Sequence, residues 1–455
     1  MRNRVAALAL LVASSTLAKP NIVFILADDM GWTGTSVEMI KGNPETKSDF
    51  YQTPNLEKLA AAGMVFSQAY APAALCTPSR AAILTGKTPA ELHMTTPGGG
   101  RTQAYQKLAA PRHVKEFPAS ETTIAERMKK AGYATALFGK WHIGTANPAI
   151  HGFDESDGPT ENVSHGTAAN PKDVFGVTDR AIAFMEKQAK AGTPFYLQLS
   201  HYAVHTPVES LEQTQEKFRK TKAGQRHSDI EFAAMTYDLD TAIGTLLKKI
   251  AELKLTETTY VVFMSDNGAP ANPRRPQNTP LNGGKGTLYE GGIRVPLIVR
   301  GPGIKADTFC NESVTGCDLL PTFCSWAGIA IPGDIEGKSL ASLLSGQTQK
   351  IGRTKPLLFH YPHYGMGPAQ KPQTAIIEGN MKLLRDLETG TLMLFDLSTD
   401  LSEKNDLSTK YPEKTETLEK RMDQRLQETD AQMPTENPDY KPSATQTQRR
   451  RLNFR

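Results

Sequence analysis

The chain has little of what would set it apart from ordinary globular proteins. Four cysteines in 455 residues, at positions 76, 310, 317 and 324, are too few for a disulfide-stapled scaffold and lack the close pairs of a structural zinc site. Excess charge of one sign is almost absent: 52 lysines and arginines face 48 acids, a formal charge of +4. That balance gives no reason to expect nucleic acid as a partner. No apolar run approaches the roughly 20 residues that cross a bilayer, and no internal repeat points to a solenoid.

What the N-terminus does have is Arg2 and Arg4, an apolar stretch over residues 5–13, and Thr16-Leu17-Ala18. Together these read as a signal peptide over residues 1–18, removed to leave a mature chain from Lys19. No cysteine follows the stretch, so neither a lipoprotein anchor nor any other membrane anchor is expected. The expected location is a bacterial periplasm or the outside of the cell. The terminal cluster Arg449, Arg450, Arg451 and Arg455 reads as a solvated, disordered tail.

With 39% hydrophobic residues the chain can build a sizeable core. Buried strands are expected over residues 21–27, 134–138, 195–200, 260–265 and 295–300, with helices over 53–62, 122–131 and 230–253. This alternation predicts an α/β fold: a large mixed, mostly parallel sheet flanked by helices. After about residue 346 the apolar runs shorten to 356–360, 374–377, 381–384 and 392–397, separated by Glu378-Gly379-Asn380 and Glu388-Thr389-Gly390. A smaller C-terminal antiparallel-sheet subdomain carrying a helix over 412–429 follows. The predicted division is a catalytic domain over 19–345 and a subdomain over 346–455. Cys317 and Cys324 would share one helix face as core residues; a single disulfide among the last three cysteines stays open.

Polar groups follow most of the predicted strands, where open α/β sheets bind ligands. Asp28-Asp29 after the first strand and Asp266-Asn267 after the fourth together offer four oxygen ligands, suited to calcium, or magnesium, rather than zinc. Cys76 precedes Pro78 in a run whose helix would start there. A helix N-terminus with Arg80 one turn on favours anions and would make Cys76 a thiolate nucleophile; the plain alternative is a buried cysteine. His201 and His205 follow the strand over 195–200, and His201 also reads as a packed histidine. His360-Tyr361-Pro362-His363-Tyr364 could line a pocket mouth through His360 and His363, or form a packing seam. His93, Arg101, His113 and His165 lie in loops that could reach the same mouth.

Two stretches carry a family resemblance. Cys76-Thr77-Pro78-Ser79-Arg80 with Leu84-Thr85-Gly86, and Gly139-Lys140-Trp141-His142-Ile143-Gly144, resemble the two signatures of the type I sulfatases of the alkaline phosphatase superfamily. The second departs only in Ile143, where leucine is usual. The resemblance runs from Pro20 to about Asn405 and implies a sulfuric ester hydrolase in which Cys76 is oxidised to formylglycine by a maturation enzyme. It implies metal ligation by Asp28, Asp29, Asp266, Asn267 and residue 76, and sulfate binding by Arg80, Lys140 and Lys285. His142 is then the proton acceptor and His205 the acid for the leaving oxygen. Lys285 stands in a glycine-rich loop and rests on the resemblance alone.

The reading is a sulfatase acting on a sulfated sugar or oligosaccharide, with His201, His360 and His363 as candidate substrate contacts. The alternatives are a phosphodiesterase or phosphonate hydrolase of the same superfamily, and a glycan-binding protein without catalysis. The complete set of site residues speaks against the last of these.

Overall fold

A computed structural model describes residues 19–98, 102–163, 166–365, 367 and 370–442. The expected signal peptide, the C-terminal arginine cluster, Arg101 and His165 lie outside the described residues.

The main sheet is built from β1 (Asn21–Ala27), β2 (Met64–Phe66), β3 (Ala134–Gly139), β4 (Glu155–Ser156), β5 (Phe195–Ser200), β6 (Thr259–Ser265), β7 (Leu297–Arg300) and β8 (Thr308–Cys310). Their spatial order is β8-β2-β7-β6-β1-β5-β3-β4. All neighbours pair in parallel except those of β7, which runs against both β6 and β2. The central strand β1 reads NIVFILA and is buried at every position, as a strand covered on both faces must be.

Alternate residues of β1 serve different cores. Val23 and Ile25 face one cluster with helices α1 (Pro54–Ala61), α4 (Val174–Ala191) and α5 (Ile230–Glu252). Ile22, Phe24 and Leu26 face the other, with α2 (Cys76–Thr85), α3 (Ile124–Lys130) and α6 (Leu319–Ala327). Each such large apolar side chain contributes about 1.5–3 kcal/mol on burial. Helix ends follow their sequence signals. Asp229 caps α5 by accepting from the Phe232 N–H at 2.8 Å, and Thr123 and Glu126 form a capping box on α3.

The second sheet is antiparallel, β9 (Leu357–Tyr361), β10 (Gln373–Glu378), β11 (Met381–Asp386) and β12 (Leu392–Asp396), in sequential order. Its strands alternate between two apolar faces. Phe359, Ala375, Ile377 and Leu384 pack on Tyr70, Leu288 and Ile293 of the main body. Leu358, Ile376, Leu383 and Leu394 pack on Leu418, Met422 and Leu426 of α7 (Pro412–Glu428). Gly379, at φ +58°, takes the first position of the two-residue turn between β10 and β11.

Several features went beyond the sequence pattern. Helix α4 and the short strands β2 and β8 were not anticipated, and the strand expected over 295–300 begins at Leu297 and runs antiparallel. All four cysteines are free and buried, so no disulfide joins Cys310, Cys317 or Cys324; Cys317 donates instead to the Lys87 carbonyl at 3.4 Å.

Candidate active site

Because β6, β1, β5 and β3 are adjacent and parallel, their carboxyl ends meet at one edge. The ladder continues one step past each strand. Asp266 N–H donates to Ala27 O, Asp28 N–H to Ala203 O and His201 N–H to Leu26 O, each at 3.0 Å, and Lys140 N–H to Ser200 O at 2.7 Å. Gly139 makes the last contact possible: at φ +95°, any Cβ there would lie 2.1 Å from Ser200 O. Asp29 takes a left-handed turn, φ 61°, a conformation Asp tolerates better than most residues. Its N–H then donates to Asp266 Oδ1 at 3.1 Å.

Cys76 opens α2, whose ten residues are all buried. Leu75 provides no side-chain cap, so the amides of the first turn carry the helix's positive end toward the strand edge. The Cys76 Sγ lies 3.3 Å from Asp28 Oδ1, 3.7 Å from Asp29 Oδ1 and 3.3 Å from Lys285 Nζ. Ligand atoms of Asp28, Asp29, Cys76 and Asp266 all fall within 4.8 Å of one another. Arg80 reaches Asp266 Oδ2 with Nε at 2.9 Å and Nη2 at 2.8 Å, and the Lys140 carbonyl with Nη1 at 2.8 Å. Lys140 Nζ holds Asp28 Oδ2 at 2.6 Å, and Lys285 Nζ holds both Asp29 oxygens at 2.7 and 2.8 Å.

Burial and neighbouring charge compete here. Burial works against the Asp28 carboxylate, yet Lys140 and Arg80 hold it far below the usual carboxylate range. Asp266 goes the other way: burial and the adjacent Asp28 push it up despite Arg80. Burial, with Asp266 beside it, pushes the Cys76 thiol well above an ordinary cysteine. Of the two readings open for the bare cysteine, a thiolate and a buried thiol, this favours the second: the helix end is outweighed by desolvation and by the carboxylates the fold brings up. Burial, then Lys140 and Arg80, lower His142 to about 2, so its imidazole is neutral at ordinary pH.

Two buried polar atoms in the cluster have no protein partner, Asn267 Oδ1 and His142 Nδ1. The first is an acceptor amid three carboxylates, since Asn267 Nδ2 already donates to Asp29 Oδ1 at 2.7 Å. An orphaned acceptor among crowded anionic oxygens fits a hard divalent cation. His142, itself left-handed at φ 55°, is fixed through its carbonyl, which accepts from Thr77 Oγ1 at 2.7 Å. His205 donates from Nδ1 to Thr206 O at 2.6 Å and sets Nε2 3.7 Å from Asp29 Oδ2.

The structure therefore brings together Asp28, Asp29, Cys76, Arg80, Lys140, His142, His205, Asp266, Asn267 and Lys285. His201, His360 and His363 stand apart from this cluster. His201 is fully buried with neither ring nitrogen hydrogen-bonded, and burial lowers it to about 4. His360 spends one ring nitrogen on Thr374 Oγ1 at 2.8 Å and the other on Gln432 O at 3.0 Å. His363 bonds Thr95 Oγ1 at 2.7 Å, and its ring centre is 5.8 Å from that of His113. His93 bonds Asp430 O at 2.8 Å. Sequence reasoning passed over Gln370, whose amide holds the Lys285 carbonyl at 2.7 Å from a loop 85 residues away.

Comparison with known proteins agrees with this geometry. The family model described as Sulfatase matches residues 20–329, and one described as N-sulphoglucosamine sulphohydrolase, C-terminal, matches residues 284–432. Human arylsulfatase A is 32% identical over 402 residues, covering 78% of this chain and 73% of its own. Mouse N-acetylgalactosamine-6-sulfatase is 33% identical over 379 residues, covering 74% and 68%. A sulfatase of Formosa agariphila is 29% identical over 475 residues, covering 85% and 84%. Among solved structures, Ps i-CgsB in complex with a neocarrahexaose superposes with a TM-score of 0.77 at 24% identity, covering 96% of this chain and 98% of its own, which shows a shared fold. Among the described residues no helix is long and apolar enough to cross a membrane. A strand-edge cluster of this composition, a family model spanning two thirds of the chain and relatives of this identity and coverage agree: the chain belongs to the sulfatase family and is a sulfuric ester hydrolase.

Proposed function

We propose that the protein hydrolyses a sulfate ester on a carbohydrate, using formylglycine at residue 76 beside a calcium ion. The observation that carries this reading is the convergence of Asp28, Asp29, Asp266 and the orphaned Asn267 Oδ1 on Cys76, flanked by three cationic side chains. The four oxygen-bearing side chains would hold calcium, or magnesium in its place, which when bound supplies positive charge to activate a nucleophile and to polarise the sulfate. A hydrated formylglycine at residue 76 would supply the nucleophilic hydroxyl that an unmodified, protonated thiol does not.

The remaining chemistry belongs to the chain's own side chains. Arg80, Lys140 and Lys285 orient the sulfate and offset the charge that builds on its oxygens. Their burial strengthens those contacts by excluding water. His205, with Nδ1–H committed to Thr206 O, acts as the imidazolium: Nε2–H gives its proton to the departing oxygen and the ring is left neutral. His142, kept neutral, receives a proton from residue 76 at its unpartnered Nδ1. Export under a signal peptide and a maturation enzyme for residue 76 belong to the same reading, as do relatives named for sulfated sugars such as N-acetylgalactosamine-6-sulfatase.

The test is sulfate release from aryl and sugar sulfates, set beside phosphate and phosphonate esters. It is combined with mass spectrometry of the peptide holding residue 76 and with chelation followed by calcium. Expected are preference for sulfate esters, an aldehyde or its hydrate at residue 76, and a loss on chelation of about 100-fold or more that calcium restores. An unmodified thiol in fully active enzyme would overturn the formylglycine assignment.

A further inference from the structure

Lys285 stands in a stretch of backbone with little stiffness of its own. The segment reads Gly283-Gly284-Lys285-Gly286, with Gly283 and Gly286 left-handed at φ 70° and 80°, and glycine leaves a chain more freedom than any other residue. Its ammonium nevertheless bonds both Asp29 oxygens and lies 3.3 Å from Cys76 Sγ. Other groups must therefore fix the main chain.

Three hydrogen bonds do so. Lys285 N–H donates to Ala269 O at 2.9 Å, two residues past Asn267, and Gly286 N–H donates to Ala74 O at 2.9 Å, two residues before Cys76. The third comes from the small sheet. Gln370, in the loop between β9 and β10, donates from Nε2 to Lys285 O at 2.7 Å, and among the described residues that carbonyl accepts no other hydrogen bond. Three residues on, Leu288 N–H donates to Oε1 of Gln373, the first residue of β10, at 2.9 Å. One short run of the small sheet thus grips the Lys285 segment at two points.

The Gln370 amide is itself held in place. Oε1 accepts from Gly367 N–H at 3.1 Å, the Gln370 N–H donates to Gly367 O at 3.0 Å, and its carbonyl accepts from Gly365 N–H at 2.9 Å. Facing an N–H at one end and a carbonyl at the other, the amide satisfies both in this orientation alone. The fit is close: a Cβ at residue 286 would lie 2.5 Å from Nε2, and one at residue 365 would lie 2.1 Å from Oε1.

We propose that Gln370 is a positioning residue for Lys285: by fixing the lysine's carbonyl it sets where the ammonium meets the sulfate, so that the small sheet completes a site built in the main body. This rests on the sulfate-binding role of Lys285 and deepens it. Such a bond matters more to turnover than to folding, because a misplacement of about 1 Å costs about 100-fold in rate.

The experiment is a double-mutant cycle on matured enzyme, with rates counted per formylglycine by mass spectrometry. The probe is 4-methylumbelliferyl sulfate, whose fluorescence follows slow variants, assayed well below their unfolding midpoints. Gln370→Met should lower kcat/KM about tenfold or more. Gln370→Glu keeps the length and the acceptor for Gly367 N–H but loses the donor, and should cost a similar factor. Lys285→Ala should cost about 100-fold, and adding Gln370→Met to it less than about twofold more, since nothing is left to position. A Gln370→Glu enzyme at the wild-type rate, or Gln370→Met costing the same factor with and without Lys285, overturns the proposal while the sulfatase reading stands. A Lys285→Ala enzyme as fast as wild type looks different: the sulfate-binding role of Lys285 fails first, and the proposal falls with it.

Discussion

Four residues along the chain separate Lys285, which belongs to one buried charge cluster, from Glu290, which belongs to another, and the two clusters behave differently. Around Glu290 every charge has an oppositely charged partner, and the one acceptor without a hydrogen bond, Glu403 Oε1, still faces the Lys382 ammonium. Lys382 Nζ bonds Glu290 Oε1 at 3.0 Å and pairs with Glu403 Oε1 at 2.8 Å. Arg294 Nη1 and Tyr70 Oη both donate to Glu290 Oε2 at 3.1 Å, and Glu290 N–H donates to Glu403 Oε2 at 2.7 Å. The Arg294 guanidinium lies 4.7 Å from the Trp32 ring centre, and its Nε donates to Ser67 O at 2.8 Å. Lys382 stands on β11, so this network ties the small sheet to the main body. Around Cys76, by contrast, Asn267 Oδ1 and His142 Nδ1 are left without partners. A buried network whose acceptors all face a cation of the protein fixes structure, whereas one with an acceptor and a base that face none has work left for a ligand.

The sharpest way to break this comparison is to delete the centre of the open cluster. Cys76→Ala should lower sulfate-ester turnover by about 10,000-fold or more while thermal unfolding stays near the wild-type midpoint. A variant that keeps turnover would put the nucleophile elsewhere. Next in size, Lys382→Met in the closed cluster should cost about 3–5 kcal/mol of stability by denaturant unfolding. Adding Glu403→Gln should recover part of that loss. If the single change impaired the chemistry of the folded enzyme and spared its stability, the two clusters would not be distinct in kind.

The smallest effect concerns the histidines outside both clusters. Burial lowers His360 to about 4 and His363 to about 3 from an ordinary 6.5. The unfolded chain therefore takes up protons that the folded chain refuses, and stability is lost as pH falls below 6.5. Each group contributes about 2 kcal/mol of that loss by pH 5. Unfolding at pH 7 and 5 checks this, and His360→Gln should flatten the slope. An unchanged slope would mean that His360 is not what the fold holds neutral.

Much of the site was legible because local patterns encode it. The run NIVFILA before Asp28-Asp29 and the strand before Asp266-Asn267 place carboxylates at strand ends by periodicity alone. The motifs at 76–80 and 139–144 add their own spacing. Gln370 left no such trace, since it acts through a backbone carbonyl on a distant loop. The choice between thiolate and buried thiol at Cys76 stayed open in the sequence for a related reason. A helix N-terminus is visible in sequence, but Asp28, 48 positions away, and the distant Asp266 act on the sulfur only once folded.

By itself the sequence determined the alternation of strands and helices, the antiparallel character of the last sheet and the residue types of the site, because apolar period, turn chemistry and motif spacing are local. Tertiary structure alone decided which charges are matched and which stand free. Coulomb attraction and desolvation depend on who lies within a few ångströms in space, and separation along the chain says nothing about that. The difference between the cluster that ties the small sheet to the main body and the one proposed to do the chemistry was settled there.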